Sequence, residues 1–346
     1  MATLTMKNKA MKRLGIYSRW ETEAQLFSWV EKDWEHFRQN IWEPRRQNLE
    51  AYTRGVNPFT DASGTAPAQT LSLGVSMSLV CAKQDQDAAI MLLFSPEHKA
   101  GWEPLLAKYW CYEYWRTRID HYDQIDSTRT DYRTSLSRAI ETLSACLCAG
   151  WIEQAEMLTQ EIGILYERKR FYDAEYYPLY HWLLRVCFDH WNLPFDAWGR
   201  PDEEKPHPLS EPVLNELFSH WRDDDLSPMR EHILWLCDYY THRTRRKDWY
   251  EFSNSHLLTR FPALILAWQR LREIRGLENP LIDHPLMQPP YARLQAAIPF
   301  YTDPVLEAAL ARLRREEMPD LGGVRQPPPS ANVEKRGLFA RLFGRI

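Results

Sequence analysis

The chain has 346 residues, a formal net charge of −4, 44% apolar residues and only 13 glycines. That balance speaks against a broadly basic nucleic-acid binder, and scarce glycine disfavours phosphate loops and hairpin-rich folds. Plentiful Leu, Ala, Arg and Glu with few β-branched runs predict an all-α fold: a multi-helix bundle of antiparallel helical hairpins with a disordered C-terminal tail.

The basic start, Met1 to Arg13, lacks an apolar core segment and does not read as a secretory signal. Ser18 reads as the N-cap of a first helix, with Glu21 as its capping-box partner. Trp20, Ala24, Phe27, Val30, Trp34 and Phe37 or Ile41 make its apolar stripe, and Pro44 sits past its end. Residues Arg54 to Gln69, rich in Gly, Pro, Thr, Asn and Ser, read as a loop. Leu71 to Cys81 is apolar without a clear period and is assigned to a helix. The windows Leu71–Ala82 and Ala88–Phe94 are interrupted by Lys83, Asp85 and Asp87. They fall short of the roughly 18 to 20 apolar residues that a membrane span needs, so no stable membrane insertion is expected.

Pro104 to Tyr122 is dense in Tyr and Trp and suits a helix with two apolar faces. Tyr132 to Glu167 reads as a helical hairpin. Leu136, Ile140, Leu143 and Leu147 form one stripe, Gly150 breaks the run, and Ile152, Ala155, Thr159, Ile162 and Tyr166 form the next. Tyr176 to Trp191 is a third helix, and the short breaks imply antiparallel packing. Asn192 to Pro212 carries five prolines and marks an internal boundary. The expected organisation is an N-terminal helical half (1–191), an acidic proline-rich linker (192–212), a C-terminal half packed on the first (213–318) and a tail (319–346). Further helices are expected near Ser227–Arg243 and Thr259–Arg275, the latter ended by Gly276. Its Arg260, Gln269, Arg270 and Glu273 are expected to face water. A last helix from Val305 to Glu317 follows a Thr302 or Asp303 cap and Pro304.

The six cysteines are scattered among apolar neighbours without a C-x-x-C pair, as reduced core thiols of a cytoplasmic protein would be. No H-E-x-x-H, calcium loop or G-x-S-x-G is present, so no metal, cofactor or enzymatic activity is expected. Asp283-His284 between prolines reads as a structural turn whose Asp bonds nearby amides; its functional reading is a catalytic cleft shared with His256. Arg243, Arg245, Arg246 and Lys247 read as a helix-terminal cluster, with phosphate contact as the alternative.

Asp202 to Asp225 holds eight carboxylates against Lys205 and Arg222. Asp202, Glu203, Glu204, Glu216, Asp223, Asp224 and Asp225, with Trp221 as an aromatic anchor, form the candidate partner-binding surface. Clustered carboxylates steer a basic partner, and neighbouring aromatics (Trp198 and Phe218 besides Trp221) supply desolvated contact. At the C-terminus, Leu338, Phe339, Leu342 and Phe343 fall at helical spacing between basic residues, a candidate adaptor peptide spanning Gly337–Ile346.

Between Asp131 and Met287 the order of helices and aromatics resembles that of helical immunity proteins from bacterial polymorphic-toxin and type VI secretion loci. The segments that carry the likeness are Y-R-T-S-L-S-R-A-I-E-T-L-S-A-C-L-C-A-G, Y-E-F-S-N-S-H-L-L-T-R-F-P-A-L-I-L-A-W-Q-R-L-R-E and the exit I-D-H-P-L-M. The resemblance implies a cytoplasmic, non-enzymatic antidote that binds a cognate toxin, often a nuclease, and blocks its active site or substrate groove. It assigns no residue a role. A helical scaffold or adaptor of a secretion system is the alternative, and a homodimer is compatible with either.

Overall fold

Thr22, rather than Ser18, starts the first helix. Its hydroxyl accepts from the Gln25 amide at 3.2 Å and the Gln25 side chain accepts from the Thr22 amide at 2.8 Å, a complete capping box. In this computed structural model, residues 12–60, 70–126, 133–175, 177–194, 208–246 and 250–326 are described. Helix α1 (Glu23–Phe37) does not end before Pro44. A π-turn over Arg38–Trp42 leads straight into α2 (Glu43–Thr53), where Pro44 occupies the first turn. Proline lacks the N–H that the carbonyl four residues earlier would receive. The wide turn bypasses that register, with the Glu43 amide reaching the Arg38 carbonyl instead. The α1 stripe is also rotated from expectation: Leu26 and Val30 are buried while Ala24, Phe37 and Ile41 face solvent.

Leu71–Leu79 is helical (α3) and joins α4 (Lys83–Leu93) through a single 3-10 turn. Its missing period has a cause: buried positions go all round it, the serines Ser72, Ser76 and Ser78 included. Helix α5 (Trp102–Asp126) is the spine, packing on α3, α4, α6 (Leu136–Ala149) and α7 (Ile152–Glu167). Gly150 turns α6 into α7 with φ +78°, which L side chains rarely adopt. A Cβ there would also lie 2.5 Å from the Ala297 side chain. The returning strand-like segment is held at this corner, where Ile298 donates to the Ala149 carbonyl and Trp151 Nε1 to the Ile298 carbonyl.

Helix α8 (Pro178–His190) packs on α9 (Pro212–Ser219), which packs on α10 (Arg230–His242). Helix α11 begins at Ala263, not Thr259, and runs to Ile274. The Tyr240 hydroxyl sits within 2.9 Å of the Leu258 and Phe261 carbonyls, which close a turn ahead of Pro262. Helix α11 packs on α6 and α8, so it has almost no outer face: Gln269, Arg270 and Arg272 are buried along with its apolar residues. The expectation that Gln269 and Arg270 face water was therefore incorrect. Helix α12 (Pro304–Glu316) is capped by Asp303, whose carboxylate accepts from the Val305 and Leu306 amides at 2.9 Å, and it packs back on α2.

The architecture is all-α. Among the described residues there is no strand, Thr134 and Phe171 form an isolated bridge, and no helix is long and apolar enough to cross a membrane. Buried apolar residues from Leu26 to Leu321 form one cluster that draws on both halves of the chain. The ordered chain also extends further than a tail starting at 319 implies. Leu321 is buried, and Arg118 Nη2 donates to the carbonyls of Leu321 at 3.1 Å and Gly323 at 2.6 Å. Residues 327–346, with the candidate peptide Gly337–Ile346, lie outside the described residues.

Candidate functional site

Two loops distant in sequence meet over the C-terminal end of α11, and one buried cation joins them. Arg272 is 0% exposed. Its Nη1 donates to the carbonyls of Trp221 at 2.6 Å and Asp223 at 3.0 Å, and its Nη2 to the carbonyl of Glu278 at 2.6 Å. Burial lowers its pKa; three carbonyls take up protons of Nη1 and Nη2, while the buried Nε has no partner among the described residues. Asn279 Nδ2 adds a bond to the Gln269 carbonyl at 3.0 Å. Backbone carbonyls of both loops are thus turned inward to Arg272, while Asp223, Asp224, Asp225, Leu281 and Asp283 are left exposed.

What results is a cleft of about 320 Å³ whose lining includes Asp224, Asp225, Arg230, Glu278, Leu281 and Asp283. Four carboxylates face one arginine there. Leu281, 99% exposed, stands at its rim, and a second cleft on the other side shares the 279–283 segment. A fully exposed leucine flanked by carboxylates is a surface in which one apolar contact is surrounded by charge.

The predicted surface residues divide into three groups. Asp224 and Asp225 line the cleft, and the Asp225 carboxylate also accepts from the Ser227 amide at 2.8 Å, which lowers its pKa. Glu216 and Asp223 are exposed and both meet His220, at 3.3 and 2.7 Å; the bond from Asp223 is the main cause that raises the His220 pKa. Asp202, Glu203 and Glu204 lie outside the described residues, as does Trp198. Trp221 requires a correction. It is 1% exposed, its Nε1 donates to Asp189 Oδ2 at 2.7 Å, and the guanidinium groups of Arg222 and Arg275 cover its ring. It is part of the core and cannot be a contact anchor; Phe218 likewise carries Arg185 on its face at 4.0 Å. The apolar contact at this surface is Leu281, which sequence reading passed over because a lone leucine between Pro280 and Ile282 has no periodicity to mark it.

The proposed His256–Asp283–His284 constellation is not assembled. His284 is buried; its Nδ1 accepts from the Leu286 amide at 3.1 Å, so Nε2 carries the proton and donates to Asp238 Oδ1 at 3.1 Å. Burial lowers its pKa. The turn is therefore bonded by His284 and not by Asp283, which lines the open cleft. Asp238 is fully engaged: it also accepts from Arg13 Nε at 2.6 Å and the Gly15 amide at 2.9 Å, pinning the start of the described chain to α10. Burial alone would raise the Asp238 pKa, but these bonds outweigh it and hold the carboxylate below its usual range. His256 instead packs on Trp29, ring centroids 5.9 Å apart, and burial with nearby Arg246 and Lys83 pushes its pKa to about 4.

The basic cluster is spent internally. Arg243 pairs with buried Glu251, Arg245 donates to the Tyr250 hydroxyl at 3.1 Å, and Arg246 meets Glu21 at 3.2 Å and the Ser253 carbonyl at 2.8 Å. Lys247 lies outside the described residues. Among the described residues, no group of three or more His, Cys, Asp or Glu side chains is arranged to hold a metal ion.

The geometry thus defines an all-α chain with an acidic, solvent-facing cleft built by a buried arginine. No protein-family model, curated protein or solved structure matches the chain. The likeness to helical immunity proteins accordingly rests on the residue pattern alone.

Proposed function

We propose that this chain is a non-enzymatic binding protein that neutralises a cognate bacterial toxin, as the immunity protein of a polymorphic-toxin or type VI effector pair. The cleft that gathers Asp224, Asp225, Glu278 and Asp283 around the exposed Leu281 carries the reading. Such a surface suits the basic groove of a nuclease. The carboxylates raise the encounter rate, and Leu281 enters a shallow apolar contact once charge has aligned the partners. Asp223 and Glu216 extend the acidic field beside it.

The test takes as partner the product of a toxin-domain gene found beside this one in its genome, and uses the double variant Asp224→Lys with Asp283→Lys. The wild-type chain is expected to rescue growth when co-expressed with that toxin, and to associate with it at a rate that falls steeply with salt. The variant should associate at least about tenfold more slowly at low ionic strength and lose the salt dependence. An unchanged association rate sinks the docking role of the cleft. Absence of any binding by the wild-type chain sinks the immunity reading itself.

A further inference from the structure

A second pair of carboxylates, Glu141 and Glu113, is half-buried between helices of the bundle, and packing alone does not explain it. Helix α6 is buried at nearly every position, yet Glu141 sits on it among apolar neighbours. Among the described residues its carboxylate is bonded by the Tyr180 hydroxyl alone, which donates to Oε1 at 2.6 Å. No lysine, arginine or histidine nitrogen among the described residues lies within ion-pair distance of it. The neighbouring charges are matched already: Arg138 with Asp120 at 2.6 Å, and Arg116 with Glu113 at 3.2 Å. Burial is the main reason the Glu141 pKa stands at about 7, with the Glu113 charge adding to it.

Glu141 opens into a cavity of about 40 Å³ between α4, α5, α6 and the 255–263 loop. Glu113 and Tyr109 line it from α5, Gln86 from α4 and Arg138, held by Asp120, from α6, and Trp110 and Phe261 form its apolar walls. Gln86 supplies an independent sign. It is only 6% exposed, it lines this cavity, and no atom among the described residues bonds its side-chain amide. Buried amides are nearly always hydrogen-bonded, so an unpartnered one aimed into a cavity marks a place where something polar is received.

We propose that this cavity is a binding site for a small organic cation, an ammonium or guanidinium head placed between Glu141 and Glu113. The Gln86 carbonyl and the Tyr109 hydroxyl accept its remaining protons, and the faces of Trp110 and Phe261 enclose its aliphatic part. The volume admits roughly three water-sized bodies, which is the size of such a head with one or two carbons and excludes a large metabolite. Glu113 keeps Arg116 as it does so, and the cation gives Glu141 a direct ion pair, where Lys83 and Arg138 act on it only from a distance. The site is separate from the acidic cleft and does not depend on the toxin-binding reading.

The experiment titrates the full-length chain with ethylammonium chloride and with methylguanidinium chloride. It is followed by tryptophan fluorescence and calorimetry, against potassium chloride at equal ionic strength and against neutral propanamide. So few heavy atoms limit affinity to a dissociation constant on the order of 1 mM. Saturable binding of the organic cations is expected, with potassium and propanamide inert. Glu141→Gln, which keeps the shape and the Tyr180 bond, should weaken binding by about tenfold or more; Gln86→Leu should weaken it by about threefold or more. The proposal is overturned if the organic cations do not saturate by about 50 mM, well above that affinity. It is equally overturned if propanamide or potassium binds as well, or if a folded Glu141→Gln binds unchanged. Should that variant not fold, the comparison with propanamide on the wild-type chain decides alone.

Discussion

The acidic cleft and the inner cavity are both built around carboxylates, and they handle charge in opposite ways. In the cleft the buried charge is a cation answered by backbone: three carbonyls meet Arg272 Nη1 and Nη2, its Nε alone lacks a partner among the described residues, and Asp224 and Asp283 face water. In the cavity the half-buried charge is an anion: Glu141 has no ion-pair partner and the Gln86 side chain no bond among the described residues. Exposed carboxylates cost the fold little and remain available to a large, slowly shaped partner. An enclosed carboxylate costs stability whenever it is ionised, unless a small counter-charge joins it. Presence of acid residues therefore says little by itself; what distinguishes the regions is which backbone or side-chain group answers each one.

The largest effect should come from removing the tie that makes the cleft. Arg272→Ala strands the carbonyls of Trp221, Asp223 and Glu278 in the interior and opens a void beneath both loops. A loss of about 3–5 kcal/mol in unfolding free energy is expected, measured by urea denaturation. Partner binding should fail with it. A loss under about 1 kcal/mol would mean that the loops hold their positions without Arg272, and the contrast between the two regions would lose its basis.

Trp221→Ala comes next, at about 3 kcal/mol, from the lost packing of a fully buried indole and its bond to Asp189. A contact anchor would behave differently, leaving stability near wild type and weakening only association. The same denaturation curves separate the two roles.

Glu141→Gln probes the other region through pH. Below about 4.5 the carboxyl is protonated in both folded and unfolded chains; between there and about 7 only the folded chain keeps the proton. Folding takes up a proton over that window, so this group makes stability fall as pH rises through it. The variant removes the effect. It should match wild type near pH 4.5 and exceed it by roughly 1–2 kcal/mol at pH 8, the full shift being discounted for partial solvent access. Asp87, pushed up to about 6 by burial, works in the same sense, while His190, held at about 4, works in the opposite one. Only the difference between variant and wild type isolates Glu141, and equal slopes would remove the premise that it is a desolvated carboxylate without an ion-pair partner.

Local features were legible in the sequence and long-range ones were not. The α6–α7 hairpin could be read because Gly150 and the two stripes sit within a few residues of each other, and the Asp303-Pro304 start of α12 for the same reason. Pro44 misled, because a stop signal read from one residue cannot anticipate the π-turn that accommodates it. On α11, charged residues suggested a wet face, but Arg270 and Arg272 snorkel to backbone carbonyls while α6 and α8 cover the stems. The acidic run was visible as composition. Its junction with Glu278, Leu281 and Asp283 was not, since it depends on the backbone carbonyls that Arg272 collects from two remote loops. Gln86 and Glu141 carry no motif at all, and only packing gives them significance.

The smallest effect belongs to the cleft carboxylates themselves. Asp224 and Asp283 make no hydrogen bond or ion pair with any side chain or backbone group among the described residues; Asp224 acts on the buried Arg272 only from a distance, across a solvent-exposed cleft. Replacing both by lysine should change unfolding free energy by no more than about 0.5 kcal/mol at moderate salt. Relief of like-charge repulsion with Asp225 and Glu278 could even favour the variant slightly. Thermal denaturation at low and high salt checks this, and it matters because the same variant is the test of docking. If Asp224→Lys with Asp283→Lys unfolds as the wild type does and still loses its fast, salt-sensitive association, the carboxylates act on the partner and not on the fold. A large loss of stability would instead put these charges with Asp238 and Glu251, among the acids that the structure uses to hold itself together.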